Sequence, residues 1–387
     1  MPSPSQGSTL GYVSGPFRTE EQSPTLKGSL RQPRVEPWDG GYRNARLMHI
    51  AIAYDLKPDG PIPADAPDDL YEEFDAPATI HSIAAVLTSL GHRVSLMGDG
   101  EPFLRAILHD KPDLVFNFAE GTGIGRSREA RVPAVCEILG IPHTGSDPLA
   151  LAVSLDKDLT RRLAQTADIV VPKGIVLTFD AAPYDGDYAE FPPMFADCGL
   201  TLPVIAKPTF EGSSKGIRNR CLIATPEEFG PTVMRLWQDY RQPVLVEEFI
   251  AGTEVTVGII GNDPPQIFGT MSIAPKDAVE HFVYSVEVKR EYVRLVDYAC
   301  PPDLPVSVLR DVEAAALTVF HLLGCRDVAR LDFRIRDGVP YFLEINPLPG
   351  LNPESSDLVI MAGLMGRTHA ELIEAIVNAA IQRSEKG

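Results

Sequence analysis

Residues 206–216 read Ala206-Lys207-Pro208-Thr209-Phe210-Glu211-Gly212-Ser213-Ser214-Lys215-Gly216. The apolar run Pro203-Val204-Ile205-Ala206-Lys207 before the turn predicts one strand, and Gly216 to Ile223 after it predicts a second. A lysine that ends a strand, followed by glycines and small hydroxyls, lets backbone N–H groups approach an anion closely. This is a phosphate-cradle composition. It is not the GxxxxGK[ST] loop, and Gly121-Thr122-Gly123-Ile124-Gly125 misses the dinucleotide spacing GxGxxG. Taken alone, the stretch reads first as an ordinary hairpin turn.

Working outward, Arg330 to Ile335 and Tyr341 to Ile345 predict a hairpin about Asp337-Gly338. Alternation along the two strands puts Arg330, Asp332, Glu344 and Asn346 on one face. Two carboxylates and an amide oxygen suit Mg²⁺, a hard cation that completes its shell with nucleotide phosphates and water. The competing reading is a solvated cross-strand salt bridge. Upstream, the strand ending Leu245-Val246-Glu247-Glu248-Phe249-Ile250 is followed by Glu254. Acids at a strand end can accept from an adenine amine and from ribose hydroxyls.

In this order and spacing the blocks resemble the ATP-grasp superfamily, specifically its D-alanine:D-alanine ligase branch. The resemblance spans about residues 110 to 380 and includes Thr144-Gly145-Ser146, Leu155-Asp156-Lys157, the Lys207 to Ser214 loop and Asn346-Pro347-Leu348-Pro349-Gly350. It implies an α/β, three-domain ATP-grasp fold with ATP between the central and C-terminal domains. Residue by residue, it implies that Lys157 and Lys207 contact the nucleotide phosphates, with Ser213 and Ser214 in the covering loop and Lys289 reaching the γ-phosphate. Glu247, Glu248, Phe249 and Ile250 would hold the adenine and Glu254 the ribose. Asp332, Glu344 and Asn346 match the magnesium ligands. Arg330, Lys289, Ser213 and Ser355 form the implied catalytic set, with Ser355 beyond Gly350 at a substrate carboxylate. The implied reaction activates a carboxylate as an acyl phosphate, releases ADP, and forms an amide when an amine attacks. The resemblance also implies a homodimer.

The rest of the chain frames this reading. With 387 residues, at roughly 100 to 200 per domain, two or three domains are expected. Strands and helices alternate from Leu47 to Phe118, which predicts a parallel sheet. The expected segments are a flexible or extended arm over 1–45, an N-terminal α/β domain over 46–150, a central domain over 151–252 and a C-terminal catalytic domain over 253–387. An acidic, Pro-rich connection falls near 180–193, and the loop from Ala274 to Tyr292 is expected to cover the site. A hydrophobic content of 44% with 23% charged residues excludes bulk disorder. The net charge of -18 argues against nucleic acid as a partner, though not against a single nucleotide. Cys136, Cys198, Cys221, Cys300 and Cys325 form no CxxC pair, and their number is odd, as expected for a reducing cytoplasm. No apolar run approaches the ~20 residues that span a bilayer.

The departures from the ligase branch gather where substrates should sit. The first strand runs on as Tyr54-Asp55-Leu56-Lys57 and lacks the branch's Gly-Gly-x-Ser-x-x-Glu, whose glutamate holds the amine of the first D-alanine. Ser127-Arg128-Glu129-Ala130 replaces Gly-Glu-Asp-Gly, and Arg290 replaces a tyrosine. These changes predict a substrate more anionic or larger than D-alanine, held by Arg126, Arg128 or Arg290, with Gly350 and Ser355 nearby. Surface salt bridges are the alternative for each arginine. The functional alternatives are D-alanine:D-alanine ligase itself and a nucleotide-binding protein that kept the fold without the chemistry.

Overall fold

Short, largely apolar runs make the strands that organise this chain. A computed structural model describes residues 47–178 and 199–386, so the expected arm over 1–45, Cys198 and the Pro-rich connection near 180–193 lie outside the described residues. The first strand, β1 (His49–Tyr54), is buried almost throughout. It pairs in parallel with β2 (Arg93–Gly98) on one side and β3 (Leu114–Phe118) on the other. Parallel pairing needs crossovers, and the helices Pro77–Ser89 and Gly100–His109 supply them. The first begins with proline, whose fixed φ suits a helix start.

The second sheet is antiparallel, in the order β4 (Gly174–Leu177), β7 (Val244–Glu248), β5 (Val204–Pro208), β6 (Leu222–Ile223). One helix, Pro226–Tyr240, packs on it. Its start is written in Thr225-x-x-Glu228, where the Glu228 carboxylate accepts the Thr225 N–H at 3.1 Å. The expected strand from Gly216 to Ile223 is corrected to two paired residues, Leu222–Ile223. The remainder is a loop: the Gly216 N–H goes to Asp69, the Ile217 N–H to the Ser214 carbonyl and the Arg218 N–H to the Cys221 sulfur.

The third sheet is also antiparallel: β10 (Val296–Ala299), β9 (Gln266–Pro275), β8 (Thr253–Ile260), β11 (Val328–Arg336), β12 (Val339–Asn346). The β11–β12 turn falls at Asp337-Gly338, both with positive φ. Within the loop expected over 274–292, Val286–Arg290 is a short helix capped by the Ser285 side chain.

Packing crosses these sequence segments. Ala164 and Val171, which precede the second sheet, join the core of the third with Val257, Phe320, Phe333 and Phe342. The last helix, His369–Lys386, buries Leu372, Ile373 and Ile376 against Ile50, Ile80 and Phe116 of the first sheet. No helix among the described residues is long and apolar enough to cross a membrane.

Phe333 and Phe342 meet edge to face at 5.7 Å across β11 and β12, both buried. Phe342→Ala should lower unfolding stability by about 3 to 5 kcal/mol, read as a fall in the urea midpoint. A midpoint within experimental error of wild type would contradict this core assignment.

Candidate active site

The site is built on the register of β11 and β12. Asp332 stands directly opposite Glu344, and Arg330 opposite Asn346, so the four side chains share a face. Arg330 is buried, with Nη2 2.9 Å from Asp332 Oδ2 and Nη1 3.3 Å from Asp357 Oδ2. Thr256 on the neighbouring strand donates to Asp332 Oδ1 at 2.6 Å. Asn346 Oδ1 accepts the Leu348 N–H at 2.9 Å.

Cations arrive from the other layers. Lys157, first residue of the Lys157–Gln165 helix, places Nζ 3.1 Å from Glu344 Oε2 and also donates to the Glu211 carbonyl. Lys207 at the end of β5 pairs with Glu247 of β7 at 2.6 Å, both buried. Burial would raise the Glu344 carboxyl, but Lys157, Lys207, Arg330 and Lys289 outweigh it and hold it down to about 2. Asp332 goes the other way: burial raises it and Glu344 adds to that, against the pull of Arg330. Among the described residues no group of three or more His, Cys, Asp or Glu side chains is set to hold a metal. Two carboxylates and an amide oxygen fit a cation of the Mg²⁺ kind, which binds through one or two carboxylates and completes its shell with phosphate oxygens.

One cleft gathers much of what the sequence indicated. Its walls include Lys207, Ser214, Glu247, Glu248, Phe249, Ile250, Glu254, Lys289, Asp332 and Glu344. Lys289 lies 4.9 Å over the Tyr284 ring, and the Ser214 hydroxyl donates to the Tyr284 carbonyl at 3.1 Å, so the two expected loops meet over the cleft. Ser213 and Ser214 both have positive φ, uncommon for serine. Glu254 pairs with Arg334 at 2.6 Å and Glu248 with Arg336 at 2.6 Å.

Of the arginines expected at a substrate, two pair with carboxylates of this chain. Arg128 is among the most deeply buried side chains, 2.5 Å from Glu73 Oε1, 3.2 Å from Glu211 Oε2 and 2.5 Å from the Phe210 carbonyl. Arg290 forks onto Asp68 and Glu72, each at 2.7 Å. Both guanidinium groups are satisfied by carboxylates of this chain, which leaves a substrate anion no free fork. Arg126 is more than half exposed but pairs with Asp156 at 2.7 Å and lies 5.4 Å over the Phe210 ring. Ser355 is exposed and donates its N–H to Asn352 Oδ1. It is not among the residues lining the cleft. Gly350 sits where an added Cβ would fall 2.9 Å from the Ser356 hydroxyl.

Sequence reasoning missed Arg334 and Asp357. The first had a signal, since 330, 332 and 334 alternate onto one face of one strand, and Arg334 lies opposite Glu254. Asp357 had none. It reaches Arg330 and the Tyr284 hydroxyl only through the folded path of the chain.

Next to the end of β1 lies a group of carboxyls with few cations. Burial pushes Asp55 up to about 7, with Asp99 adding to it. It also raises Asp75 to about 7, helped by Asp55, and raises Glu129 to about 7, with Glu73 adding and Arg128 opposing. These groups bind protons more tightly folded than unfolded. Their contribution is therefore complete below the unfolded carboxyl range near pH 4 and is lost as pH rises through about 7. The melting temperature should fall by a few degrees, roughly, between pH 5.5 and 8.5, and Asp75→Asn should flatten that slope. An unchanged slope in the variant would refute the assignment.

Comparison with known proteins bears on this geometry. The family model described as "D-ala D-ala ligase C-terminus" matches residues 166–378. The D-alanine–D-alanine ligase of Moorella thermoacetica is 30% identical over 304 residues, covering 78% of this chain and 93% of that protein. That of Rhizorhabdus wittichii is 30% identical over 311 residues, covering 78% and 90%. Among solved structures, the Bacillus anthracis D-alanine–D-alanine ligase complexed with ATP superposes with a TM-score of 0.62 at 20% identity, over 88% of this chain and 99% of that one. The VanG D-Ala:D-Ser ligase of Enterococcus faecalis gives 0.61 at 20%, over 87% and 100%.

Proposed function

Because this chain belongs to the D-alanine–D-alanine ligase family of ATP-dependent ligases, we propose that it joins a carboxylate to an amine through an acyl phosphate, releasing ADP and phosphate. The observation that carries this reading is the convergence of Lys207, Glu247, Lys289, Asp332 and Glu344 on one cleft, with Lys157 and Arg330 on its acidic pair.

In this reading the nucleotide lies between the second and third sheets. Adenine meets the Glu247 to Ile250 strand end, where backbone and carboxylate groups offer acceptors and donors, and the ribose meets Glu254. Lys157, Lys207 and Lys289 lower the repulsion between the γ-phosphoryl group and the incoming carboxylate. Arg330, kept in place by Asp332 and Asp357, faces the oxyanion that forms when the amine attacks. Asp332, Glu344 and Asn346 would hold Mg²⁺, which when bound would offset negative charge on the transferring phosphoryl group. The meeting of the Ser213-Ser214 loop with Tyr284 and Lys289 excludes water, which protects a hydrolysable intermediate.

The acid and amine are amino acids or small peptide-like metabolites other than two D-alanines. Support comes from the end of β1, where Tyr54-Asp55-Leu56-Lys57 lacks the Gly-Gly-x-Ser-x-x-Glu element. Asp55 is buried and accepts the Gly121 N–H at 2.7 Å.

A pooled amino-acid and dipeptide incubation with Mg-ATP should yield ADP together with a product of the summed mass minus water. Asp332→Asn and Glu344→Gln should each lower turnover by about 100-fold or more. AMP in place of ADP would overturn the proposed activation, and D-alanyl-D-alanine as the product would overturn the substrate proposal alone.

A further inference from the structure

Between β1 and the Pro77–Ser89 helix the chain makes a series of tight turns, with N–H groups of Leu70, Glu72 and Phe74 bonded to carbonyls three residues back. Asp69 and Glu73 reach the loop over 211–216, Asp68 and Glu72 reach Arg290, and the two pairs do different things.

Asp69 is fully buried. Its Oδ2 accepts the Gly216 N–H at 2.9 Å, its carboxylate accepts the Tyr240 hydroxyl at 2.8 and 2.9 Å, and Arg218 Nη2 lies 3.0 Å away. Glu73 is 3% exposed on its side chain; Oε1 accepts the Gly212 N–H at 2.5 Å and Arg128 Nη2 at 2.5 Å, while Oε2 meets Lys215 Nζ at 3.1 Å. The two carboxylates therefore grip the loop at Gly212 and Gly216, on either side of Ser213 and Ser214. Those serines sit at φ 49° and 59°, a backbone shape that L residues avoid unless their surroundings fix it. Gly216, at φ 78°, has no room for a side chain, since a Cβ would lie 2.3 Å from Pro208. Between the two gripped amides, the Ser213 and Ser214 N–H groups have no acceptor among the described residues. The second pair, Asp68 and Glu72, holds Arg290, the residue after Lys289, and Asp68 also takes Arg218.

We infer that Asp69 and Glu73 are positioning residues for nucleotide binding: they hold the Glu211–Gly216 loop in the shape in which Ser213 and Ser214 present their N–H groups to a phosphate, while Asp68 and Glu72 tie the Lys289 segment to the same brace. The inference rests on the cleft being the ATP site. It gives the β1-to-helix connection a role in phosphate recognition. Asp69 reaches no nucleotide atom in this scheme, so its influence is confined to the phosphate end.

The test is the binding of adenosine, AMP, ADP and ATP, each with Mg²⁺, to the full-length protein by calorimetry and ligand-observed NMR. Asp69→Ala should weaken ATP and ADP by about tenfold or more and leave adenosine within about twofold. Asp69→Asn, whose amide oxygen still accepts the Gly216 N–H, should recover most of the loss. Equal weakening of ATP and adenosine, no change, or tighter ATP binding from an emptied phosphate seat would each overturn the inference. Should Asp69→Ala not fold, Tyr240→Phe removes one donor to Asp69, and hydrogen exchange of residues 209–217 should then quicken relative to wild type; unchanged exchange would count against the brace. Wild-type protein that binds no ATP would defeat the reading of the cleft, and the exchange comparison would still decide the brace.

Discussion

Two carboxylates, Asp332 and Glu344, face each other on adjacent strands, and their repulsion in a buried setting has to be met by positive charge from elsewhere in the chain. Arg330 comes from the same strand, Lys157 from a helix start before the second sheet, Lys207 from the end of β5 and Lys289 from the segment over the cleft. Each of these layers is thereby drawn toward one pair of side chains. The outcome is uneven, with Glu344 held low and Asp332 raised. Removing one member of such a set leaves the others buried without compensation. That gives the site a conformational as well as a chemical role.

The same economy explains the fate of the arginines. In a chain with a net charge of -18, a buried guanidinium group and an exposed one both meet carboxylates of their own chain. Arg128 lies between Glu73 and Glu211, and Arg290 between Asp68 and Glu72. An arginine standing where a family has an acid can therefore report a rebuilt internal network, and a change of substrate charge does not follow from it.

Local periodicity and cap signals made the strands and helices legible, down to the Pro226–Tyr240 helix and the turn at Asp337-Gly338. The Arg330, Asp332, Glu344 and Asn346 face was legible for the same reason, since alternation on a hairpin is a property of neighbours in sequence. The loop over 209–221 was not. Its shape depends on Asp69 and Glu73, more than a hundred residues earlier, and no local pattern encodes that partnership. Asp357 was hidden in the same way. Thr144-Gly145-Ser146, quoted in the resemblance as a motif, turns out to join layers: the Gly145 N–H bonds Asp327, and the Ser146 hydroxyl accepts the Arg326 N–H.

The last helix lies on the first sheet. Ile373 and Ile376 fill the same apolar cluster as Ile50 and Phe116, so a face of the first sheet is completed by residues remote from it in sequence. Contacts of that kind close slowly, and until they do the apolar face of β1 and β3 stays open to misassociation.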